Sequence, residues 1–421
     1  MALNARSAAA TEWRKSWSVV LSGALGMALA STSVYSIGIF MAPLEKEFGW
    51  SRAEISAGLT INTVLAVLVS PFIGIALDRI GVRRIGTIGV TAYCMVFACL
   101  AFASSSIWSW WILWLLLGAT GLAIKPTIWT TSVSSMFTRS RGLALSVMLC
   151  GTALGSSLTP SVGNFLFEAL GWRQGTLCLA AFWAALVVPP VWLFLTSARD
   201  IEINAQVTRK SGAVELPVVL TGVSVREGML SLRYFRLAVA GFLTCLVIVS
   251  FVSGLVPILS DRGFARQTAA NIAGLAGIAT IVGRLTGGYL LDRTNGNLVG
   301  AASVGLAIVP AILFLLFPGS LLISSIGVLI LGLTLGAELD AVAFLASKHF
   351  GMRNFGVLFG TISGLLALAT GLGPLFVSLV YDQTKSYDMV LMGYVPLALI
   401  AAALFASLGR YPEFEQPMET M

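Results

Sequence analysis

The sequence predicts an all-α membrane protein of twelve transmembrane helices in two pseudo-symmetric six-helix halves, on three observations. Hydrophobic residues fill 57% of the 421 positions and charged ones 11%, where a soluble domain carries roughly a quarter charged residues; the mean hydropathy is +0.90. Apolar stretches long enough to cross a bilayer recur along the whole chain. The pattern Gly-x-x-x-Asp-Arg occurs at Gly74–Arg79 and again at Gly288–Arg293, half a chain further on, each time where an apolar stretch ends. A repeat at half the chain length is a common construction of solute carriers.

The first stretch, about 17–42, follows Arg14 and Lys15 and contains Ala28-Leu29-Ala30, which imitates a secretory cleavage site. The apolar run continues to Met41, so it reads as an uncleaved first span. Spans two to six are expected at about 54–77, 85–104, 109–135, 142–167 and 174–196, and spans seven to twelve at about 236–257, 268–291, 296–317, 321–347, 355–381 and 389–409. The one long polar insertion, 197–235, has mixed charge and no strong periodicity, and reads as a flexible or partly helical linker. The domains are thus an N-terminal half, 1–196, the linker, and a C-terminal half with a short tail, 236–421. Glycine and proline in span five (Gly151, Gly155, Pro160, Gly163) and span eleven (Gly371, Gly373, Pro374) suit close packing and bending between halves.

Eighteen of the 26 basic residues fall on the side of the termini and six on the other, leaving Lys125 and Arg284 inside spans. The positive-inside rule then places both termini in the cytoplasm of a cell inner (plasma) membrane protein. The net charge of +7 is spread over short loops, without the basic face that nucleic acid requires, and matches a lipid bilayer. Cys94, Cys99, Cys150, Cys178 and Cys245 lie in apolar stretches without metal-ligand spacing and read as packing residues. No metal, cofactor or enzymatic constellation is expected; His-Glu-x-x-His, nucleophile-elbow and P-loop patterns are all missing from the sequence.

The run Gly74-Ile75-Ala76-Leu77-Asp78-Arg79-Ile80-Gly81-Val82-Arg83-Arg84, after span two, resembles the loop signature of the major facilitator superfamily, and its second copy follows span eight as that fold's half-repeat requires. Glycine there lets two helices approach, and the aspartate can cap a helix end. Gly74, Asp78, Arg79, Arg83, Gly288, Asp292 and Arg293 are therefore the candidate gating residues. Other segments resemble the monocarboxylate-transporter branch and its bacterial oxalate/formate-exchanger-like relatives: Tyr35–Phe40 leading into Phe48–Ser56, Arg141–Leu145, Gly171-Trp172-Arg173, Gly283-Arg284-Leu285, and Glu338-Leu339-Asp340 ahead of His349-Phe350-Gly351. The resemblance implies an eighth-span arginine, Arg284, that contacts an anionic substrate. The chain departs from the branch in having no charge in span one, Thr280 where animal members carry an acid, and no basic residue in 355–381. Substrate identity does not carry over.

Four charges lie well inside spans: Lys125, Arg284, Glu338 and Asp340. Each costs at least about 2.5 kcal/mol near the midplane and calls for a partner or a watery cavity. Lys125 lies 14 residues before Arg139, about 21 Å along a continuous helix, with no acid at that depth in its half; it suits an anion site, or pairs with Glu338 or Asp340. Trp129 stands one turn on and offers an aromatic face, and Tyr35 closes the candidate substrate set of Lys125, Arg284, Trp129 and Tyr35. Glu338 and Asp340 point about 200° apart and are the candidates for proton coupling, Glu338 being favoured by depth. His349 sits at the end of span ten, where a solvated or dipole-interacting role is expected. The composite reading is an alternating-access secondary transporter, symporter or antiporter, that moves a small organic anion, a mono- or dicarboxylate, by proton symport or by anion exchange, with a monomeric functional unit. Alternatives are a carrier of peptides or other amphipathic solutes and a non-transporting membrane sensor on the same fold.

Overall fold

The computed structural model describes residues 2–203 and 221–414. Among these the chain is helical, with one isolated bridge between Gly222 and Gly351. Span one is Ala2–Phe48, span two Arg52–Ile80 and span three Val82–Cys99. Span four is discontinuous: Ile107–Gly121 and a tight turn, Leu122–Ile124, are separated from Pro126–Met136 by an extended Lys125. Span five starts as Arg141–Leu149 and continues past Cys150 into a 44-residue helix, Gly151–Phe194. Such a helix would be about 66 Å long, twice a bilayer core, and it turns at Gly171, whose φ of 77° is open to glycine. The part beyond Gly171 is span six.

Spans seven and eight are Leu232–Asp261 and Arg266–Arg293; span nine is Gly296–Leu306 with Ile308–Leu316. Spans ten, eleven and twelve are Leu321–Phe350, Phe355–Thr384 and Asp388–Ala406. Among the described residues eleven stretches are long and apolar enough to cross a membrane, one of them bent, and the turn at Gly171 divides the longest in two, which gives the expected twelve; an even number returns both termini to one face. Trp13 and Tyr411 border the same cavity there. Of the expected linker, 204–220 lie outside the described residues; Val225–Leu230 is a short helix, and the Val223 amide donates to the Phe350 carbonyl at 3.0 Å, docking the linker's exit on the loop after span ten.

The two halves meet closely at the terminal face and separate away from it. A Cβ added to Gly74 of span two would lie 2.2 Å from the Gly356 carbonyl of span eleven. Moving away from that face, a Cβ on Gly360 would lie 3.1 Å from Ser70, on Gly364 3.5 Å from Val67, and on Gly371 4.0 Å from Thr63. The other seam is alike: a Cβ on Gly142 of span five would lie 2.5 Å from the Gly288 carbonyl of span eight, while Gly274 and Gly277 have no neighbour within 4 Å. The bundle is a V closed at the terminal face. Gly74→Val is expected to wedge this closure, read as faster alkylation from the terminal face of a cysteine placed at Ser70; an unchanged rate would mean the helices relax around the added methyls.

The glycines of spans five and eleven behave differently from expectation. Gly151, Gly155 and Gly163 pack against Ala24, Ala28 and Ile39 of span one, and Gly373 against Ser250 of span seven. These four weld helices within each half; the contacts between halves are made by Gly74 and Gly288 with Gly356, Gly360 and Gly142, and Gly371 faces Thr63 of the other half at 4.0 Å. All five cysteines are unpaired; Cys94 and Cys245 are buried, Cys150 is half-buried, and Cys99 and Cys178 are exposed rather than packed.

At the open face each half is stapled by one ion pair between its first and last spans. Arg173 pairs with Glu47 at 2.8 Å, and Arg262 pairs with Asp388. Arg262 and Asp388 each stand one residue beyond the positions, 261 and 387, that the repeat assigns to Glu47 and Arg173, so the second half has a staple at a similar place with its charges exchanged.

Candidate functional site

The motif aspartates tie the two halves together at the terminal face. Asp292, at the end of span eight, accepts the Gly142 amide at 2.6 Å and the Leu143 amide at 2.9 Å, in the first turn of span five. Asp78, at the end of span two, accepts the amides of Gly356 and Val357, both at 2.9 Å, in the first turn of span eleven. Each carboxylate thus fills donors that a helix start leaves free and sits at the positive end of that helix's dipole. Gly142 and Gly356 are separated by the same interval as Asp78 and Asp292, so the two locks are one device used twice, each half capping a helix of the other.

The motif arginines do not bridge the halves. Arg79 is exposed and lines a cavity of about 990 Å³ beside Asp78, and Arg293, over the Tyr289 ring at 4.7 Å, lines one of about 700 Å³ beside Asp292. Arg83 does not bond to the second half: its amide donates to the Asp200 carboxylate at the start of the linker at 3.2 Å and its guanidinium to the Trp192 carbonyl of span six at 3.1 Å. Asp200 lies outside the spans; burial outweighs these bonds and raises its carboxyl above the ordinary range. Arg141 adds a cross-half bond, donating to Ser347 of span ten at 3.0 Å.

Lys125 does not lie on a continuous helix. It is extended (φ −65°, ψ 159°), and Pro126 opens the next helical piece, as the residue before proline prefers. Its ammonium has no hydrogen bond or ion pair among the described residues, and neither Glu338 nor Asp340 reaches it. Trp129 is fully buried against Gly26 of span one, and its indole donates to the Ile124 carbonyl at 2.9 Å. It satisfies an acceptor freed by the break, and among the described residues its ring makes no cation–π contact with the ammonium. Thr127, just after the break, donates to Ser363 of span eleven at 3.2 Å, a tie across the halves. Tyr35 is 44% exposed on span one.

Arg284 is buried and reaches three ways. Its Nε lies 3.8 Å from Asp340 Oδ1 and donates to the Gly336 carbonyl at 3.3 Å. Its Nη1 crosses to span five, donating to the Leu149 carbonyl and, at 3.2 Å, to the Thr152 hydroxyl. Asp340 is fully buried, and its other oxygen accepts the Ser146 hydroxyl of span five. Asp340, not Glu338, therefore makes the ion-pair contact; Glu338 faces the Cys245 thiol of span seven. The opposed directions expected of the two acids are present. Of the two roles expected of His349 the solvated one is excluded, since it is 1% exposed, with Nε2 3.1 Å from Asn297 Oδ1 and its ring 5.1 Å from that of Tyr411; it does lie in the last turn of span ten, where a dipole interaction is open to it.

Ser146, Thr152 and the Leu149 carbonyl are site groups that the sequence reading does not single out. A signal exists in the departures from the repeat: the counterpart of Arg284 in the other half is Ser70, that of Lys125 is Leu339, and that of Asp340 is Pro126. The locks obey the repeat, and the deep charges break it.

Known proteins place this architecture. The chain is 28% identical to the gallate transporter of Pseudomonas putida, over 81% of this chain and 83% of that one. It is 25% identical to monocarboxylate transporter 11 of Mus musculus, over 89% and 83%. The crystal structure of the E. coli fucose:proton symporter FucP covers 93% of the chain and 98% of its own, with a TM-score of 0.71 at 12% identity, a likeness of fold. The model of the Major Facilitator Superfamily matches residues 23–374, from span one into span eleven and through both halves. The chain belongs to the Major Facilitator Superfamily and is one of its multi-pass membrane transporters.

Proposed function

We propose that the chain carries a small organic anion, a mono- or dicarboxylate, by alternating access between a half at 1–196 and a half at 236–421 joined by the linker at 197–235. In this reading the terminal face is cytoplasmic in a cell inner membrane, and the V is the outward-facing state. The observation that carries it is Lys125, a deep cation without a counter-charge among the described residues, at a broken span. A carboxylate entering the V would supply that counter-charge, with Arg284 as the second cation. The planar guanidinium matches a carboxylate's two oxygens. The gallate and monocarboxylate relatives support an acid as cargo, and an aromatic acid is the first to test.

Energy coupling is assigned to Asp340. An acid paired with a substrate-binding arginine can surrender that arginine when it takes up a proton, so proton entry and substrate entry become linked; exchange of one anion for another is the alternative use of the same site. In sealed vesicles, gallate or benzoate uptake is expected to rise under an inward proton gradient. Asp340→Asn should retain exchange of labelled for unlabelled acid and lose gradient-driven accumulation, while Glu338→Gln keeps both. The reverse pattern would return coupling to Glu338. Binding with neither net movement nor exchange in the parent protein would make it a sensor.

A further inference from the structure

Span five is broken where Arg284 touches it. The Ala153 amide, which in a regular helix would donate to Leu149, instead donates to the Cys150 carbonyl at 3.0 Å. The Leu149 carbonyl is left to accept the Thr152 hydroxyl at 2.8 Å and the Arg284 guanidinium. The side of the break facing span one is fixed, since a Cβ on Gly151 would lie 1.9 Å from the Ala24 carbonyl. Leu149 and Thr152 belong to the first half and Arg284 to the second, so this cluster is a tie across the halves, one turn deeper than Ser146 and Asp340. It also occupies guanidinium N–H groups that a carboxylate would take.

We propose that Thr152 and the Leu149 carbonyl are positioning groups of the anion site, holding Arg284 in the empty carrier and giving it up to the substrate. The inference rests on Arg284 as an anion ligand. When a carboxylate takes Nη1, the tie across spans five and eight is lost and the Leu149 carbonyl is free to take back the Ala153 amide one turn on. Span five then has two arrangements, a broken one bonded to Arg284 and a regular one bonded to itself. Substrate favours the second because it competes only with the first. The bound anion thereby loosens the same seam that Asp292 locks at the terminal face, which couples site occupancy to the closure of the V.

The test is Thr152→Val, with Thr152→Ser as the conservative partner and Arg284→Gln as the reference. Removing the hydroxyl leaves Arg284 held by one acceptor fewer, so the apparent KM for gallate or benzoate is expected to fall roughly five- to tenfold. Thr152→Ser should return it to the parent value. A role confined to helix packing would instead lower the thermal midpoint and the transport rate with KM unchanged, and that outcome overturns the proposal. So does a KM that rises. Should Arg284→Gln bind both acids as tightly as the parent, the anion site itself is misplaced. Lost binding in Arg284→Gln with an unaltered KM in Thr152→Val leaves the site standing and removes only Thr152 from it.

Discussion

Arg284→Gln and Lys125→Gln are both expected to abolish carboxylate uptake, at least a hundredfold, and to part company in stability. Removing Arg284 strips a buried ion pair and leaves Asp340, at 0% exposure, without its cation; breaking such a pair costs about 3–5 kcal/mol. The double variant Arg284→Gln with Asp340→Asn should regain most of that stability and none of the uptake. Lys125 has no partner among the described residues, so its neutralisation orphans nothing and removes an uncompensated deep charge. Lys125→Gln should therefore melt at the parent temperature or above it. A charge held for packing would show the opposite, because its loss would destabilise the fold. Uptake unchanged in both single variants would take the anion site elsewhere.

The second large effect is at the locks. Asp78→Asn and Asp292→Asn each keep a side chain of the same size and lose the negative charge and one acceptor at a helix start. A carboxylate in this setting contributes about 1–2 kcal/mol through its charge-assisted bonds and the helix dipole. Each variant should shift the balance from the closed terminal face toward an open one by roughly five- to thirtyfold, and the double variant by the product, since the two locks lie on separate seams and share no partner. Accessibility of a cysteine placed at Ser70, labelled from each side of the membrane, reads this directly. Arg79→Gln and Arg293→Gln are the controls; both arginines face solvent cavities in the closed state, and their loss should leave labelling near the parent level. Equal labelling of the aspartate variants and the parent protein would reduce the motif to a topological signal.

Span count and the repeat are legible in the chain because they depend on quantities that add along it. An apolar run must be long enough to cross the hydrocarbon core, and a motif that recurs after half the chain places its two copies at equivalent helix ends in any fold built of two like halves. The motif's division of labour is less legible. Sequence groups Asp78 with Arg79 and Arg83, yet only the aspartate can accept from a helix start, while long cationic side chains reach solvent more cheaply than they bridge. The break at Lys125 has a local signal in Pro126, which cannot continue the helix before it. Reading 109–135 as one apolar span passes over that signal and makes Trp129 an aromatic face for the ammonium.

The chain alone determined the membrane, the twelve helices, their pairing into halves and the four deep charges, all set by hydrophobicity and by covalent spacing. Only the tertiary structure decided which charges meet. Arg284 and Asp340 lie on different spans, and Ser146 belongs to the other half of the chain; their contact depends on how spans five, eight and ten cross. A two-residue step around span ten turns Asp340 toward the other half and Glu338 toward span seven, a choice made by helix rotation within the packed bundle and invisible to depth. The Leu149 carbonyl could not be found by residue type at all, since every residue has one, and it becomes a ligand only where a helix is broken facing a cation.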